Sequence, residues 1–171
     1  MAASDGSAED LFLPGGRLRL EFLEEPAAQA VQQSLRLARD THWDSVRSPH
    51  IFMGLLAEPD PGIRHWGELL GADLPKLLNQ FQELFHQEEG EAGALLLLNR
   101  EFLSDNVLRL LREAYQRALE NQRSRITTMD LLISLLSAPN SIVAECFERI
   151  GITPAKLTEL ALQAEQQGPL A

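Results

Sequence analysis

One cysteine, Cys146, is all that 171 residues contain. No disulfide can form within the chain, so a packed interior must hold it together; a lone thiol fits a reducing compartment, and a cytoplasmic location is expected. Aromatic side chains make up only 6% of residues. That leaves Leu and Ala to fill a core, as in helical bundles. Basic residues are outnumbered: the formal net charge is -10, and most of the acid excess lies in residues 1–90. Such a field repels phosphate backbones and anionic lipid, so neither nucleic acid nor membrane is expected as a partner. No apolar run approaches the roughly 20 residues that span a bilayer. Met1–Asp10 is acidic and small, unlike the basic-then-apolar start of a secretory signal, and reads as a disordered tail. No glycine is followed by lysine, which excludes the phosphate loop Gly-x-x-x-x-Gly-Lys-Ser/Thr.

Catalytic and metal-binding constellations are missing as well. The histidines His42, His50, His65 and His86 include no pair at i, i+4, and Cys146 has no nearby partner, so no metal and no cofactor are expected. Cys146 falls on an apolar helix face and reads as a small hydrophobe. Ser34, with His42 and Asp44 downstream, has no triad context. With no nucleophile–base set, the chain does not read as an enzyme.

What the chain does have is an internal repeat at a fixed offset of 80 residues. Glu21-Phe22-Leu23 returns as Glu101-Phe102-Leu103, Leu55-Leu56 with Pro59 as Leu135-Leu136 with Pro139, and Gly71 as Gly151. Matches fall on apolar and turn positions, so a packing scheme is repeated. A unit of roughly 60 residues buries only about 60% of its unfolded surface and is marginal alone, whereas two copies stacked face to face share one core.

Each copy reads as four helices. Ala27, Ala30, Val31, Ser34, Leu35 and Ala38 form one helical stripe; Val107, Leu110, Leu111, Ala114, Tyr115 and Ala118 form its copy. Pro26 begins the first and Ser104 caps the second. Their alanines would let these two helices approach closely. Ser48-Pro49 reads as N-cap and first position of the second helix, with Thr127 or Thr128 capping its copy. Ile63, Trp66 and Leu70 mark the third helix, matched by Val143, Cys146 and Ile150. Gly71 and Gly151 end these in left-handed conformation. Asp73 and Thr153 cap the fourth pair, of which the first-half member, Leu74 to Phe85, reads as longer and more apolar. Leu11–Phe22 alternates after the turn Pro14-Gly15-Gly16. With Leu95–Phe102 it forms either a pair of extended arms or loops whose leucines plug the core. The expected architecture is all-α: eight helices in two pseudo-twofold-related repeats. A tail or arm occupies 1–20, repeat one about 21–86, a linker 87–97, repeat two about 98–166 and a tail 167–171.

This ordered set resembles the Clp ATPase amino-terminal domain, the double repeat ahead of the ATPase rings of ClpA, ClpB, ClpC and ClpV. The residues that carry the resemblance are Ala38, Ser48-Pro49-His50, Leu55-Leu56 and Leu69-Leu70-Gly71. In the second copy they are Leu103-Ser104, Leu110-Leu111, Ala114, Ala118, Ile126-Thr127, Asp130-Leu131-Leu132, Leu135-Leu136, Pro139 and Gly151-Ile152. The resemblance spans about residues 21–166 and implies a non-catalytic module that recruits substrates or adaptors to a Clp machine. Its partners would be a protein substrate, an adaptor or a Clp ATPase or protease subunit. The alternatives are a stand-alone accessory subunit docking on that machine and a helical ligand-sensing regulator. The start at Met1 and the taper Gly168–Ala171 favour a short stand-alone protein over the front piece of an ATPase. In some ClpC-type members a glutamate before the histidine of each second helix helps hold phosphorylated arginine. Here Pro49 and Met129 stand at those positions, and neither side chain accepts a hydrogen bond from a guanidinium.

The expected partner-binding residues are Trp43, Ser48, Pro49, His50, Thr127, Thr128, Met129 and Asp130, at the starts of the second helices, with an apolar groove between the repeats as the other place for a partner. Both starts are expected at the surface. Trp43 is either an exposed anchor or a side chain folded back over the repeat boundary. Arg109, Arg112, Arg117, Arg123 and Arg125 read as a solvated, salt-bridged face, with acids such as Glu113 interleaved.

Overall fold

The computed structural model describes residues 11–88 and 96–167. The expected N-terminal tail 1–10, residues 168–171 of the expected tail 167–171 and most of the linker 87–97 lie outside them. The described residues form eight α-helices and no strand: α1 Glu25–Asp40, α2 Ser48–Ala57, α3 Pro61–Leu70, α4 Leu74–Leu84, α5 Asp105–Glu120, α6 Thr128–Ser137, α7 Ile142–Glu148 and α8 Pro154–Gln167. No single helix among them is long and apolar enough to cross a membrane.

Local chemistry sets most boundaries as the sequence predicts. Asp60, Asp73, Ser104, Thr127, Ser141 and Thr153 each accept a backbone N–H in the first turn of α3, α4, α5, α6, α7 and α8. These side chains satisfy donors that have no partner inside the helix. Gly71 and Gly151 close α3 and the turn after α7 at φ of 76° and 92°, where a Cβ would be strained.

The twofold relation of the repeats is visible in the backbone. Leu23 bridges Ile126 in parallel, and Val46 bridges Leu103 in the same way. Moving Leu23 forward by 80 gives Leu103 and moving Ile126 back by 80 gives Val46, so the repeat offset interchanges the two bridges, as a twofold axis requires. The flanking hydrogen bonds agree: Ile126 N donates to Phe22 O at 2.7 Å, and Val46 N to Phe102 O at 2.8 Å. His42 and Gln122 even share a positive φ. The arms of both repeats pair, through Leu18 N to Leu98 O at 2.8 Å and Arg100 N to Gly16 O at 2.7 Å. Leu11, Phe12, Leu18 and Leu96 are also buried, so the arms pair and plug the core together.

Four expectations about packing are corrected. The alanine stripe of α1 does not seat α5: α1 packs along α2, so closely that a methyl at Gly54 would lie 2.2 Å from Ala30 O. Ser48 is inside α2, not its cap; Arg47 precedes it, and the His50 ring accepts the Arg47 backbone N–H at 2.9 Å. Phe147, not Cys146 and Ile150, carries the inward face of α7, and Ile150 is 70% exposed. α8, with 14 residues, is longer than α4, with 11.

The core sits on α2 and α6, buried almost throughout between the other helices. Trp66 stands at its centre, fully buried, its ring edge-on to Phe52 at 6.1 Å and Phe147 at 6.2 Å.

Candidate functional site

The starts of α2 and α6 are mostly interior. Pro49, His50, Thr128, Met129 and Asp130 are buried, and Ser48, Thr127 and Trp43 are half-buried. The expectation that both starts lie at the surface is corrected by this burial.

At the start of α2, Arg47 N donates to His50 Nδ1, so the proton of the neutral ring sits on Nε2, 3.1 Å from Thr41 Oγ1. Burial, with a smaller contribution from Arg47, pushes the imidazole pKa down to about 4. Trp43 packs edge-on against His50 at 5.6 Å and donates its indole N–H to Phe85 O at 2.6 Å. The Arg47 guanidinium lies over the indole at 5.0 Å. Trp43 therefore folds back, as one of its two readings holds, with one edge left on a cavity.

The equivalent start of α6 is built from charge. Eighty residues on, Leu37, Trp43, His50 and Phe85 become Arg117, Arg123, Asp130 and Glu165. Asp130 is fully buried and accepts from Arg117 at 2.8 Å, from both nitrogens of the Arg123 fork, and from Thr127 N at 2.9 Å. Burial alone would raise its pKa; the hydrogen bonds from Arg123, Thr127 and Arg117 outweigh that and hold it below the ordinary carboxylate value. Glu165 closes the cluster with two bonds to Arg117, at 2.7 and 2.6 Å. Two of the five arginines expected on a solvated face thus turn inward to pin α5, α6 and α8 together.

The two starts also differ in what covers them. Over α6, the α2–α3 turn closes: Thr128 Oγ1 donates to Asp60 Oδ2 at 2.7 Å, and a Cβ at Gly62 would lie 3.1 Å from Met129 Sδ. Over α2, the matching α6–α7 turn stands off and leaves a cavity of about 390 Å³. Trp43, Arg47, Ser48, Pro49, His50 and Phe85 line it from repeat one; α5 contributes Asn106, Arg109, Leu110 and Glu113, the turn contributes Pro139 and Asn140, and α7 contributes Ile142. Four predicted site residues therefore meet at one inter-repeat cavity, and the four on α6 lie outside it. Phe85, Asn106 and Asn140 were missed; only the repeat offset, which places Asn140 opposite Asp60, gave a signal for any of them. Among the described residues no three His, Cys, Asp or Glu side chains gather as metal ligands.

Residues 102–170 match the family model of the Clp repeat N-terminal domain. No curated protein matches the sequence. Among solved structures, the N-terminal domain of the chaperone ClpD from Arabidopsis thaliana is similar at 19% identity and a TM-score of 0.66, covering 90% of this chain and 99% of that one. The Hsp104 N-terminal domain from Candida albicans aligns with a TM-score of 0.68 at 11% identity, over 86% and 94% of the two chains. A ClpV N-domain in complex with a VipB peptide aligns with a TM-score of 0.62 at 18% identity, over 87% and 93%. The reciprocal backbone bridges, the eight-helix order and these likenesses agree: the chain has the fold of the Clp amino-terminal domain, and its residues 102–170 match the Clp repeat model.

Proposed function

We propose that this chain is a non-catalytic protein-binding module that recruits a substrate or adaptor polypeptide to a Clp-type chaperone or protease. The observation that carries the reading is the open inter-repeat cavity at the start of α2, beside its closed counterpart at α6. A volume near 390 Å³ suits one or two side chains of an extended segment rather than a folded surface. The indole of Trp43, Pro49 and Leu110 give it an apolar floor; Ser48, Asn106 and Asn140 offer hydrogen bonds, and Arg109 with Glu113 stand one helical turn apart at the rim. The bond from Trp43 to Phe85 O fixes the indole before anything binds, so capture carries no cost of ordering that side chain. The VipB peptide on a ClpV N-domain is a precedent in the same fold.

The test is selection of peptides from a random displayed library against the whole chain, followed by titration of the enriched sequences. Trp43→Ala and the exposed Arg109→Glu should each weaken them by about tenfold or more, with circular dichroism confirming the fold. Peptides that bind both variants as tightly as the parent would place the function elsewhere.

A further inference from the structure

Of the four histidines, two have both ring nitrogens engaged. His50 uses them on Arg47 N and Thr41 Oγ1, and His65 on Glu68 and Gln167. His42 and His86 make no side-chain hydrogen bond among the described residues, and the buried Nδ1 of His42 finds no partner there. A buried polar atom without a partner is costly and calls for an explanation. These two rings are the ones that meet: their centroids stand 4.9 Å apart, with the planes tilted by 50°. The backbone fixes both. His42 follows α1 at a φ of 67°, and its N–H is bonded to Arg39 O at 3.0 Å. His86 follows α4. Gln87 N donates to Thr41 O at 2.9 Å on one side of the pair, and Trp43 donates its indole N–H to Phe85 O at 2.6 Å on the other. Residues 41–43 and 85–87 thus run past one another in opposite directions, with His42 opposite His86. Repeat two has Gln122 and Gln166 at the equivalent positions, and Gln122 keeps the left-handed backbone at a φ of 59°. The fold therefore needs an imidazole at neither place.

We propose that His42 and His86 are the two protein ligands of a site for a divalent transition-metal ion of the zinc type, with water in its remaining positions. Zinc holds imidazole nitrogens at about 2.0–2.1 Å in a tetrahedral array, which puts the centres of two rings on one ion about 5 Å apart. The pair already stands at that separation. Imidazole suits zinc, copper and nickel, whereas magnesium and calcium demand oxygen ligands. The local charge favours a cation: Asp40, Asp44, Glu83, Glu88 and Glu89 lie within three residues of one or the other histidine, against Arg39 alone. His86 is exposed, so an ion and its waters reach the pair from solvent. Two protein ligands, where structural zinc has four, set an affinity of about micromolar order. The bound ion ties the end of α1 to the end of α4, beside the Trp43–Phe85 wall of the inter-repeat cavity.

The experiment titrates zinc chloride into the whole chain at about pH 7.5, since histidine must be neutral to bind a metal, and follows it by calorimetry and amide NMR. One ion per chain should bind, with shifts at residues 41–43 and 85–87 and a raised unfolding temperature. His42→Gln and His86→Gln copy the second repeat and should keep the fold by circular dichroism. Each should weaken zinc by at least about tenfold. His65→Gln and Cys146→Ser remove the other accessible nitrogen and sulfur ligands and should change nothing. Magnesium chloride should give no shifts at the pair. No zinc binding below about millimolar, unaltered affinity in either His42→Gln or His86→Gln, loss of binding in His65→Gln or Cys146→Ser, or an equal response to magnesium would overturn the proposal. No peptide enters the experiment, so its outcome is independent of what the inter-repeat cavity captures.

Discussion

Acidification should unlock the start of α2 through one residue. His50 is buried, accepts a backbone N–H through Nδ1, and has its pKa lowered from 6.5 to about 4. A protonated ring would aim a second N–H at the Arg47 N–H. The unfolded chain binds this proton below its ordinary pKa and the folded chain does not, so the stabilising contribution is complete above about pH 6.5 and is lost as pH falls toward 4. At 1.36 kcal/mol per pKa unit, the loss between pH 7 and pH 4.5 is roughly 2–3 kcal/mol. His50→Asn offers an oxygen acceptor to the same N–H and does not titrate. Urea unfolding at both pH values should therefore show the parent losing roughly 2–3 kcal/mol more than the variant. The comparison cancels the carboxylates common to both proteins. Equal losses, or an imidazole that titrates near 6.5 by NMR in the folded chain, would refute the reasoning.

Other perturbations have outcomes fixed by the same geometry. Gly54→Ala should destabilise the chain by roughly 3 kcal/mol or more in thermal or urea unfolding, because its methyl meets Ala30 O at 2.2 Å; a cost below 1 kcal/mol would show that α1 and α2 separate easily. Asp130→Ala leaves Arg117 and Arg123 sharing Glu165 alone and should cost about 3–5 kcal/mol. Phosphoarginine should give no saturable NMR shifts at Ser48–His50 or Thr128–Asp130, since the buried Pro49 and Met129 offer its guanidinium no acceptor.

Much of the fold was legible because burial in a helix is periodic and local. The stripe from Val107 to Ala118 is buried residue for residue, and the glycines and most caps stand where their conformations require. Three features were not legible, because each depends on residues far apart in sequence or on the size of a neighbour. That His50 would take the part of a cap follows from its ring reaching back to Arg47, where Ser48 had the commoner chemistry. The ionic cluster joins Arg117 to Asp130 and Glu165, 13 and 48 residues on, and i, i+4 spacing gives no hint of it. That the α6 start is shut follows from Thr128 reaching Asp60, 68 residues away in the other repeat, which no local pattern displays. The candidate site was legible in the same measure. Trp43, Ser48, Pro49 and His50 do meet at a cavity, whereas their α6 counterparts are shut under Asp60 and Gly62.

The central claim, that the two repeats leave one open polypeptide site and close the other, is tested most directly by mapping amide shifts for a library-selected peptide on the whole chain. The account predicts shifts at Trp43, Ser48, Asn106, Arg109 and Asn140, with Thr127–Asp130 silent. Shifts of equal size around both helix starts, or at the α6 start alone, would contradict it.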